Sequence, residues 1–505
     1  MSPNFKKVVE RSRSAFNSGR TLSLEFRKQQ MKQLLKLYEE NQQDFIEALK
    51  SDVRKPKMEA FVFEVNAVKS DVTYILRRLD KWAAPDQVPS QIPLDKSLIL
   101  KEPYGVALVI GAWNFPLQLT MVPVHGALAA GNTVIIKPSE TAPATASLIA
   151  KLVPHYLDKE CYQVVCGGVS ETTALLQQRF DYIFYTGSTH VGRIVREASN
   201  KYLTPTTLEM GGKRWAGHRR SPCYIDNTIN MDLVARRILW GKMTNLGQIC
   251  VAPDYLLCSK AVQGVFIAKA REVLLEWYGK EPQKSPDLSR IVTDRHVDRL
   301  VSYLECGKAV IGGRFEKADR WVEPTVLVNV TADSKVMTEE IFGPILPIIN
   351  VENHVEAIEF IKRREKPLAL YIFTQEEEVQ QTFLKQVSAG GVTINDVLLH
   401  IGNNTMPFGG VGESGMGMYH GKYTFDTFSH HKSCLVRTYN SLIEKGTRNR
   451  FPPYTEKKMK FMVSQKDQGD GPGIFHYLCK LMEQLFTMGF GAIILYLVLK
   501  YTDAY

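Results

Sequence analysis

Short apolar segments that alternate with helix-like segments constrain the fold of this chain more than any other feature. They begin at Gly105 and include VALVIG (106–111), NTVIIKP (132–138), CYQVVCGG (161–168) and YIFYTGS (182–188). Strands that alternate with helices in this way pair in parallel and place the helices on the faces of the sheet. The sequence therefore predicts an α/β fold with a doubly wound, Rossmann-like domain.

A second strand-rich series follows from Pro205. It includes SPCYID (221–226), DYLLCS (254–259) and GGVTIND (390–396). Upstream of both series, residues 26–53 carry apolar side chains at three- and four-residue spacing, which indicates amphipathic helices. A chain of 505 residues is too long for one ordinary core, so two or three domains are expected.

Charge and cysteine content narrow the classes of function. The net charge is +10, but no nucleic-acid-binding motif accompanies the basic clusters, so a basic or lipid-attracted surface is favoured over nucleic acid. The eight cysteines show no CxxC spacing, and no signal-peptide-like stretch precedes the helices. We therefore expect a reducing compartment, with neither a disulfide framework nor a zinc site.

A strongly apolar segment, residues 485–499, lies near the C-terminal end. At about 1.5 Å per residue it would reach roughly 22 Å as a helix, and residues 481–484 would extend it towards a full membrane span. The alternative is a buried helix of the globular part. The polar, glycine-rich stretch QKDQGDGPG (465–473) before it favours a membrane tail, with the bulk of the chain in the cytosol.

A turn at a predicted strand end offers an anion-binding site. In TGSTHVG, Gly187 and Gly192 bracket Ser188 and Thr189 where a helix should begin. The free N–H groups and the positive end of a helix dipole suit a pyrophosphate group there. A glycine-rich turn alone is weak evidence, because many such turns are purely structural.

Two charged residues follow another predicted strand, in IIKPSE. The ammonium of Lys137 and the carboxylate of Glu140 could hold ribose hydroxyls at the carboxyl end of that strand. Taken alone, the motif would be read as a surface ion pair.

Three further motifs contain the groups that covalent acyl chemistry needs. Cys250 in GQICVAP is a candidate nucleophile, Glu209 in LEMGGK a candidate base, and Asn114 in GAWNFP a candidate donor to an oxyanion. Composition does not single out Cys250, because a buried structural thiol is the default reading of every cysteine.

Taken together, six motifs resemble those of the aldehyde dehydrogenase superfamily, in its order and near its spacing, from about residue 5 to 437. They are GAWNFP, IIKPSE, FYTGSTHVG, LEMGGK, GQICVAPDY and EEIFGPILP. KPLALYIF (366–373), PFGGVGESGMGMYHGKYTFDTFSH (407–430) and the apolar tail resemble the class 3 branch, in particular its membrane-bound members that act on fatty aldehydes.

The resemblance implies a role for each motif residue. Cys250 matches the catalytic thiol, Glu209 the base that activates the hydrolytic water, and Asn114 the side chain that forms an oxyanion hole with the Cys250 N–H. The implied cofactor contacts are Lys137 and Glu140 at the adenosine ribose, Gly187, Ser188, Thr189 and Gly192 at the pyrophosphate, and Glu340 and Phe342 at the nicotinamide ribose and ring. Tyr419 and His420 match residues near the substrate tunnel.

The same resemblance implies a division of the chain. Its parts are a NAD-binding domain (1–81 and 102–208), an α/β catalytic domain (209–392), a small β-rich bridging and oligomerisation arm (82–101 and 393–437), a basic linker with a helix near the substrate mouth (438–473), and a C-terminal hydrophobic tail helix that anchors the chain in a membrane (474–505).

The implied activity is NAD-dependent oxidation of medium- to long-chain aliphatic aldehydes to carboxylic acids, through a thiohemiacetal and a thioester on Cys250 and without a metal. NAD is named before NADP because Glu140 would repel a 2′-phosphate. A homodimer in the endoplasmic reticulum membrane is expected, with the peroxisomal membrane as the alternative. The rival functions are oxidation of aromatic and short aldehydes, and binding by a catalytically impaired, membrane-tethered paralogue.

One departure from the family pattern supports that last rival. RWAGHRR (214–220) is inserted between LEMGGK and SPCYID, and it separates Glu209 from Cys250 by 41 positions. A displacement of catalytic groups by about 1 Å can lower a rate roughly 100-fold. We expect the insertion to bulge outward and to leave the motif residues in place.

Overall fold

The computed structural model describes residues 4–90, 95–211, 221–438, 444 and 448–466. The helices are α1 (Phe5–Asn17), α2 (Leu24–Glu40), α3 (Gln42–Val53), α4 (Lys57–Ala60), α5 (Asn66–Leu76), α6 (Leu79–Ala83), α7 (Gln118–Ala130), α8 (Pro143–Tyr156), α9 (Val169–Leu176), α10 (Thr189–Asn200), α11 (Met231–Met243), α12 (Lys260–Tyr278), α13 (Asp294–Leu304), α14 (His354–Lys362), α15 (Glu377–Gln386), α16 (Lys422–Thr427) and a last helix, Glu456–Lys466.

The strands follow the same chain order. They are β1 (Asp86–Val88), β2 (Lys96–Pro103), β3 (Val106–Ile110), β4 (Thr133–Lys137), β5 (Tyr162–Val164), β6 (Tyr182–Ser188), β7 (Thr206–Gly211), β8 (Ser221–Ile225), β9 (Pro253–Cys258), β10 (Lys308–Ile311), β11 (Phe315–Glu316), β12 (Trp321–Val322), β13 (Thr325–Val328), β14 (Ile345–Asn350), β15 (Ala369–Phe373), β16 (Gly391–Ile394), β17 (Gly415–Met416) and β18 (Ser429–Val436).

The predicted doubly wound sheet is confirmed. It has six strands in the order β17-β7-β6-β3-β4-β5, all parallel except β17, which runs antiparallel to β7. Every residue of β3 is buried. Ala107 and Val109 belong to one core cluster, while Val106, Leu108 and Ile110 belong to another. Both faces of the sheet are therefore covered, which explains why its strands are continuously apolar.

The second strand-rich series forms a seven-stranded sheet in the order β10-β13-β14-β9-β8-β15-β16. Its strands pair in parallel except for β10, which is antiparallel to β13. β8, β9 and β15 are buried along their whole length. The predicted helical stretch 26–53 is also confirmed, as α2 and α3. They are separated at Asn41, whose side-chain amide donates to the Leu37 carbonyl at 2.9 Å and ends α2.

Two compact units make up the chain: residues up to 83 together with 102–430, and residues 84–101 together with the chain from 431 onward. The second unit contains most of a three-stranded sheet, β1-β2-β18. The resemblance assigns 82–101 and all of 393–437 to a β-rich arm, and the structure divides the second range between two sheets. The start of this range completes β16 at the edge of the seven-stranded sheet, and only β18 joins the small one.

Three predictions concern the C-terminal part and the insertion. The last helix, Glu456–Lys466, lies within the linker 438–473, where a helix was expected. The insertion 214–220 and the tail 474–505 lie outside the described residues. Across the described ranges, no helix combines the length and the apolar character that a membrane span requires.

Candidate active site

A cavity of about 1040 Å³ lies in the larger unit, where the carboxyl ends of β3, β4, β6 and β7 meet the loop before β9. It is lined by eleven of the thirteen residues that the sequence nominates: Asn114, Lys137, Glu140, Gly187, Ser188, Thr189, Glu209, Cys250, Glu340, Phe342 and Tyr419. Gly192 and His420 do not line it. The fold thus brings residues from motifs more than 300 positions apart to one site.

A tight turn before β9 presents Cys250 to the cavity. Asn245, Leu246 and Gly247 have positive φ angles of 49°, 52° and 75°. A Cβ on Gly247 would lie 2.6 Å from the carbonyl carbon of Gly343, so only glycine fits at this close approach. The turn therefore packs directly against the EIFG segment, and Cys250 follows it, partly exposed.

The Gln248 side chain fixes this turn from within. Its amide donates to the carbonyls of Asn245 and Arg290, both at 3.0 Å, and its oxygen accepts from the Val292 N–H at 3.0 Å. All three contacts are buried, so the side chain is fully satisfied. The backbone that carries Cys250 is held before any ligand arrives.

Asn114 reaches the same turn from the loop after β3. Its side-chain Nδ2 donates to the Gln248 carbonyl at 3.1 Å, and the residue is 5% exposed. An amide nitrogen has two N–H donors, so one remains for another acceptor. The predicted proximity of Asn114 and Cys250 is therefore present in the structure.

Glu209 lies in β7 between β6 and β17, where it is paired with Thr186 and Gly415. It is 4% exposed, and neither carboxylate oxygen has a hydrogen-bond partner in the described part of the chain. Burial raises the pKa of Glu209 well above its ordinary value.

Gly211, at the end of β7, has no side chain, which leaves space beside it for the side chains of Glu340 and Cys250. A Cβ on Gly211 would lie 3.1 Å from Glu340 Oε2 and 3.6 Å from Cys250 Cβ. Burial, and then the negative charges of Glu340 and Glu209, raise the pKa of the Cys250 thiol. The ligand-free site therefore holds the thiol protonated.

The turn predicted to bind a pyrophosphate opens α10 as expected. Ser188 is the N-cap and accepts from the Val191 N–H at 3.4 Å. The Thr186 and Thr189 hydroxyls are buried at the cavity without a partner among the described residues. Such hydroxyls usually mark a place where an absent ligand or water completes the hydrogen bonding.

Gly192 has a different place from the one predicted. A Cβ there would lie 3.1 Å from Met210 Cγ, on the neighbouring strand β7. The glycine therefore permits close packing of α10 on the sheet, behind the cavity wall. Lys137 and Glu140, in contrast, lie at the wall as predicted and form an ion pair with each other at 2.5 Å.

The segment that carries Glu340 and Phe342 is held from α13. The Arg299 guanidinium donates to the carbonyls of Glu340 and Ile341, each at 2.8 Å. Phe342 has φ 49° and its ring packs edge-on against Trp113, with 5.4 Å between centroids. The hydrogen bonds from Arg299 and the packing of Phe342 on Trp113 therefore hold this segment at the cavity wall.

Tyr419 lines the cavity, whereas His420 lies behind it. The His420 ring stacks on Phe408 at 5.2 Å, and the residue is buried. Burial lowers the pKa of His420 to about 4, so its ring is neutral. Of the two residues predicted near the substrate, Tyr419 therefore lines the cavity and His420, whose φ is 85°, does not.

Sequence reasoning missed several residues of the cavity wall: Trp113, Thr186, Arg193, His296 and Phe408. Three of them lie inside motifs that the sequence identified, namely Trp113, Thr186 and Phe408. Their position next to the predicted site residues could have indicated that they line the cavity. His296 lies in α13, in no motif, and only the fold brings it to the site.

The donor set fits a dinucleotide. One end of the cavity has unpartnered threonine hydroxyls at a helix N-terminus and a lysine–glutamate pair, and the other has the thiol, Glu340 and an aromatic ring. These groups match the needs of a pyrophosphate, a ribose and a flat heterocycle. The volume also leaves room for a second ligand at the thiol.

Comparisons with known proteins agree with this site. A family model described as "Aldehyde dehydrogenase family" matches residues 2–434. "Aldehyde dehydrogenase family 3 member A2" of Macaca fascicularis is 47% identical over 456 residues, covering 90% of this chain and 92% of that protein. "Aldehyde dehydrogenase, dimeric NADP-preferring" of Canis lupus familiaris is 45% identical, covering 89% and 98%.

A solved structure, "Substrate bound state of Staphylococcus Aureus AldH", is similar to this chain with a TM-score of 0.87 and 42% identity, over 92% of this chain and 99% of that one. Sequence family, relatives and fold therefore agree with the geometry of the cavity. The chain belongs to the aldehyde dehydrogenase family, and it is an NAD(P)-dependent enzyme that oxidises aldehydes.

Proposed function

We propose that this enzyme oxidises medium- to long-chain aliphatic aldehydes at Cys250, close to a membrane that residues 474–505 enter. The observation that carries the chemistry is the convergence of Cys250, Glu209 and Asn114 on one cavity with the dinucleotide-type donors. The observation that supports the substrate class is the apolar segment 485–499, since a membrane-tethered enzyme meets substrates that partition into lipid.

Acylation begins with loss of the Cys250 proton. The thiolate adds to the aldehyde carbon, a C–S bond forms, and the carbonyl oxygen becomes an oxyanion. The Cys250 N–H and the second N–H of Asn114 stabilise this charge, and the Gln248 carbonyl keeps the amide in place. Each donor of this kind is worth about 3 kcal/mol in the transition state.

Lys137, Glu140, Thr186, Thr189, Glu340 and Phe342 would hold the dinucleotide. When bound, it would accept the hydride that leaves the former aldehyde carbon as the oxyanion collapses to the thioester carbonyl on Cys250, and its positively charged ring would offset the carboxylates beside the thiol. We name NAD first, because the carboxylate of Glu140 at the cavity wall would repel a 2′-phosphate. A homodimer is proposed from the relative whose printed name calls it dimeric.

Deacylation is the step that needs Glu209. As a carboxylate it accepts a proton from water, the hydroxide adds to the thioester carbon, and the C–S bond breaks. The carboxylic acid leaves and the Cys250 thiolate is restored. A buried carboxylate without a partner is suited to this step, because its raised pKa makes it a stronger base.

The location is proposed from the tail alone. We propose the endoplasmic reticulum membrane, with the peroxisomal membrane as the alternative, the catalytic part in the cytosol, and a helix around 454–461 near the substrate entrance. Deletion of 474–505 should move the protein from the membrane to the soluble fraction. Unchanged membrane retention would contradict the anchor.

Turnover of two aldehydes tests the substrate class. We expect kcat/KM for hexadecanal to exceed that for benzaldehyde at least about tenfold, since extra buried methylenes contribute about 0.8 kcal/mol each. Cys250→Ser is the control and should form no NADH from either. A preference for benzaldehyde would favour the aromatic rival, and absence of any turnover by the parent chain would favour the impaired paralogue.

A further inference from the structure

A fully buried ion pair lies beneath the Asn114 loop. Lys55 Nζ and Glu64 Oε1 are 2.5 Å apart, and both side chains are 0% exposed. Neither residue lines the cavity. Burial removes both charges from water, and this cost is offset only if further hydrogen bonds satisfy the two groups; an apolar pair of similar size is often as stable. The additional hydrogen bonds of Lys55 and Glu64 therefore indicate why a charged pair is present here.

Glu64 holds the start of α7. Its second oxygen, Oε2, accepts from the N–H groups of Leu117 and Gln118, at 3.1 and 3.0 Å. Glu64 belongs to a π-helical turn, Phe61–Val65, between α4 and α5. Turns of this kind are rare and frequently lie at functional sites.

Lys55 holds the other side of the same loop. Its Nζ donates to the Asn114 carbonyl at 3.0 Å and lies 3.9 Å from the centroid of the Phe115 ring. The ion pair therefore contacts the chain at Asn114 and just after it, at residues 114 and 115 through the lysine and at 117 and 118 through the glutamate.

The Asn114 carbonyl is also the point where this loop meets the Cys250 turn. It accepts a second hydrogen bond, from Asn245 Nδ2 at 2.9 Å. The same amide of Asn245 donates to the Gln248 carbonyl at 3.1 Å, and that carbonyl accepts from Asn114 Nδ2. Lys55 and Asn245 thus hold the backbone carbonyl of Asn114, and the Gln248 carbonyl holds its side-chain amide.

We propose that Lys55, through its ion pair with Glu64, is a positioning residue that sets the Asn114 amide for stabilisation of the oxyanion. The inference rests on the proposed role of Asn114. Lys55 acts on the backbone carbonyl of Asn114 and does not touch substrate. An apolar pair in its place would fill the space but would leave the carbonyl with one donor fewer.

Acylation of Cys250 by 4-nitrophenyl acetate provides the test, because this reaction needs the thiol and the oxyanion donors but no dinucleotide. The thiolate displaces 4-nitrophenolate, whose release is measured. The variants are Lys55→Met/Glu64→Met, with Lys55→Met alone as the second should the pair fail to fold. Arg27→Met is the matched control, since Arg27 is a buried cation of the same helical layer that donates to the carbonyls of Thr21, Leu22 and Ala129.

We expect the acylation rate constant to fall about 10- to 100-fold in the Lys55 variants, the range that a misplacement of about 1 Å produces. The aldehyde kcat should fall with little change in KM. Arg27→Met should lower the thermal midpoint without this loss of rate. An acylation rate equal to that of the parent, or a loss no larger than in Arg27→Met, would overturn the proposal.

A double-mutant cycle separates the inference from the proposed function. In an Asn114→Ala background, Lys55→Met should cause no further loss, since it acts through the missing amide. Additive losses would show that Lys55 acts elsewhere and would overturn the inference alone. An Asn114→Ala rate equal to that of the parent would instead remove the oxyanion role of Asn114 from the proposed function.

Discussion

The two ends of the cavity differ in whether their polar side chains already have hydrogen-bond partners in the folded protein. At the nucleophile end, Asn114, Asn245 and Gln248 bond to one another and to backbone carbonyls, over a buried ion pair. At the cofactor end, the hydroxyls of Thr186 and Thr189 are buried and unpartnered in the described part of the chain. Folding therefore fixes the groups proposed to meet the oxyanion, whereas the groups proposed to meet the pyrophosphate still lack partners among the described residues.

This difference has an energetic meaning. Donors that are already held by hydrogen bonds do not need to reorganise when charge develops on the substrate. This preorganisation is the condition for electrostatic stabilisation of a transition state. Unpartnered buried hydroxyls each destabilise the ligand-free protein by about 1–3 kcal/mol, and a ligand that bonds them regains it. Glu209 is the exception at the nucleophile end, since neither carboxylate oxygen has a partner in the described part of the chain. In the proposed mechanism, its bond is made to the reacting water.

Glu209→Gln tests that exception and has the largest expected effect. Hydrolysis should slow roughly 10³-fold, because an amide cannot take the proton of the water. The first turnover of NADH should persist, since acylation does not need this base. Rapid mixing with NAD and hexadecanal should show a burst followed by a much slower steady state.

Glu377→Gln, exposed on α15, is the matched control and should behave like the parent. Loss of the burst together with the steady state would mean that Glu209 acts before the thioester forms.

Glu59→Gln tests how the nucleophile end depends on pH. Glu59 accepts from the Asn245 N–H at 2.8 Å, and burial raises its pKa to about 7. Because the folded-state pKa lies above the unfolded-state value, this contribution to stability is complete below about pH 4.5 and is lost as pH rises through about 7. The free energy of unfolding of the parent should therefore fall by about 3 kcal/mol between these limits, and the variant should not show this fall.

Urea unfolding at acidic and at mildly alkaline pH measures this difference. Glu10→Gln, exposed on α1, should follow the parent. An identical pH dependence in the parent and in Glu59→Gln would disprove the assignment.

The Cys250 thiol offers a smaller test. Its pKa is raised by burial and by Glu340 and Glu209, and only the thiolate reacts. Alkylation by iodoacetamide in the absence of dinucleotide should therefore accelerate about tenfold per pH unit between about pH 7 and 9. Cys250→Ser gives the background of the other thiols. A plateau that begins near neutral pH would contradict a raised pKa.

Thr189→Val tests the cofactor end and has the smallest expected effect. Removal of an unpartnered buried hydroxyl should stabilise the ligand-free protein by about 1 kcal/mol and weaken NAD binding several-fold. Thermal unfolding with and without NAD measures both. Thr189→Ser keeps the hydroxyl and should bind like the parent; a destabilised Thr189→Val would show that the hydroxyl already has a partner.

Local patterns were enough for much of the fold. The strands of the six-stranded sheet could be predicted because both of its faces are buried, which requires continuous apolar runs such as VALVI. The start of α10 was predictable because Ser188 caps it through a bond three residues away. The extent of the small sheet could not be predicted, because the sheet that β16 joins depends on its pairing with β15, which no local pattern shows.

The sequence by itself determined which chemical groups are present: a thiol, a carboxylate, an amide and a glycine turn, each in a motif that a few neighbouring residues define. Only the tertiary structure decided the state of each group. It left the side-chain oxygens of Glu209 and Thr189 without a partner among the described residues, put Gly192 and His420 behind the cavity wall, and placed Lys55 under Asn114. Burial and hydrogen bonding depend on contacts between residues far apart in the chain, which no local motif records.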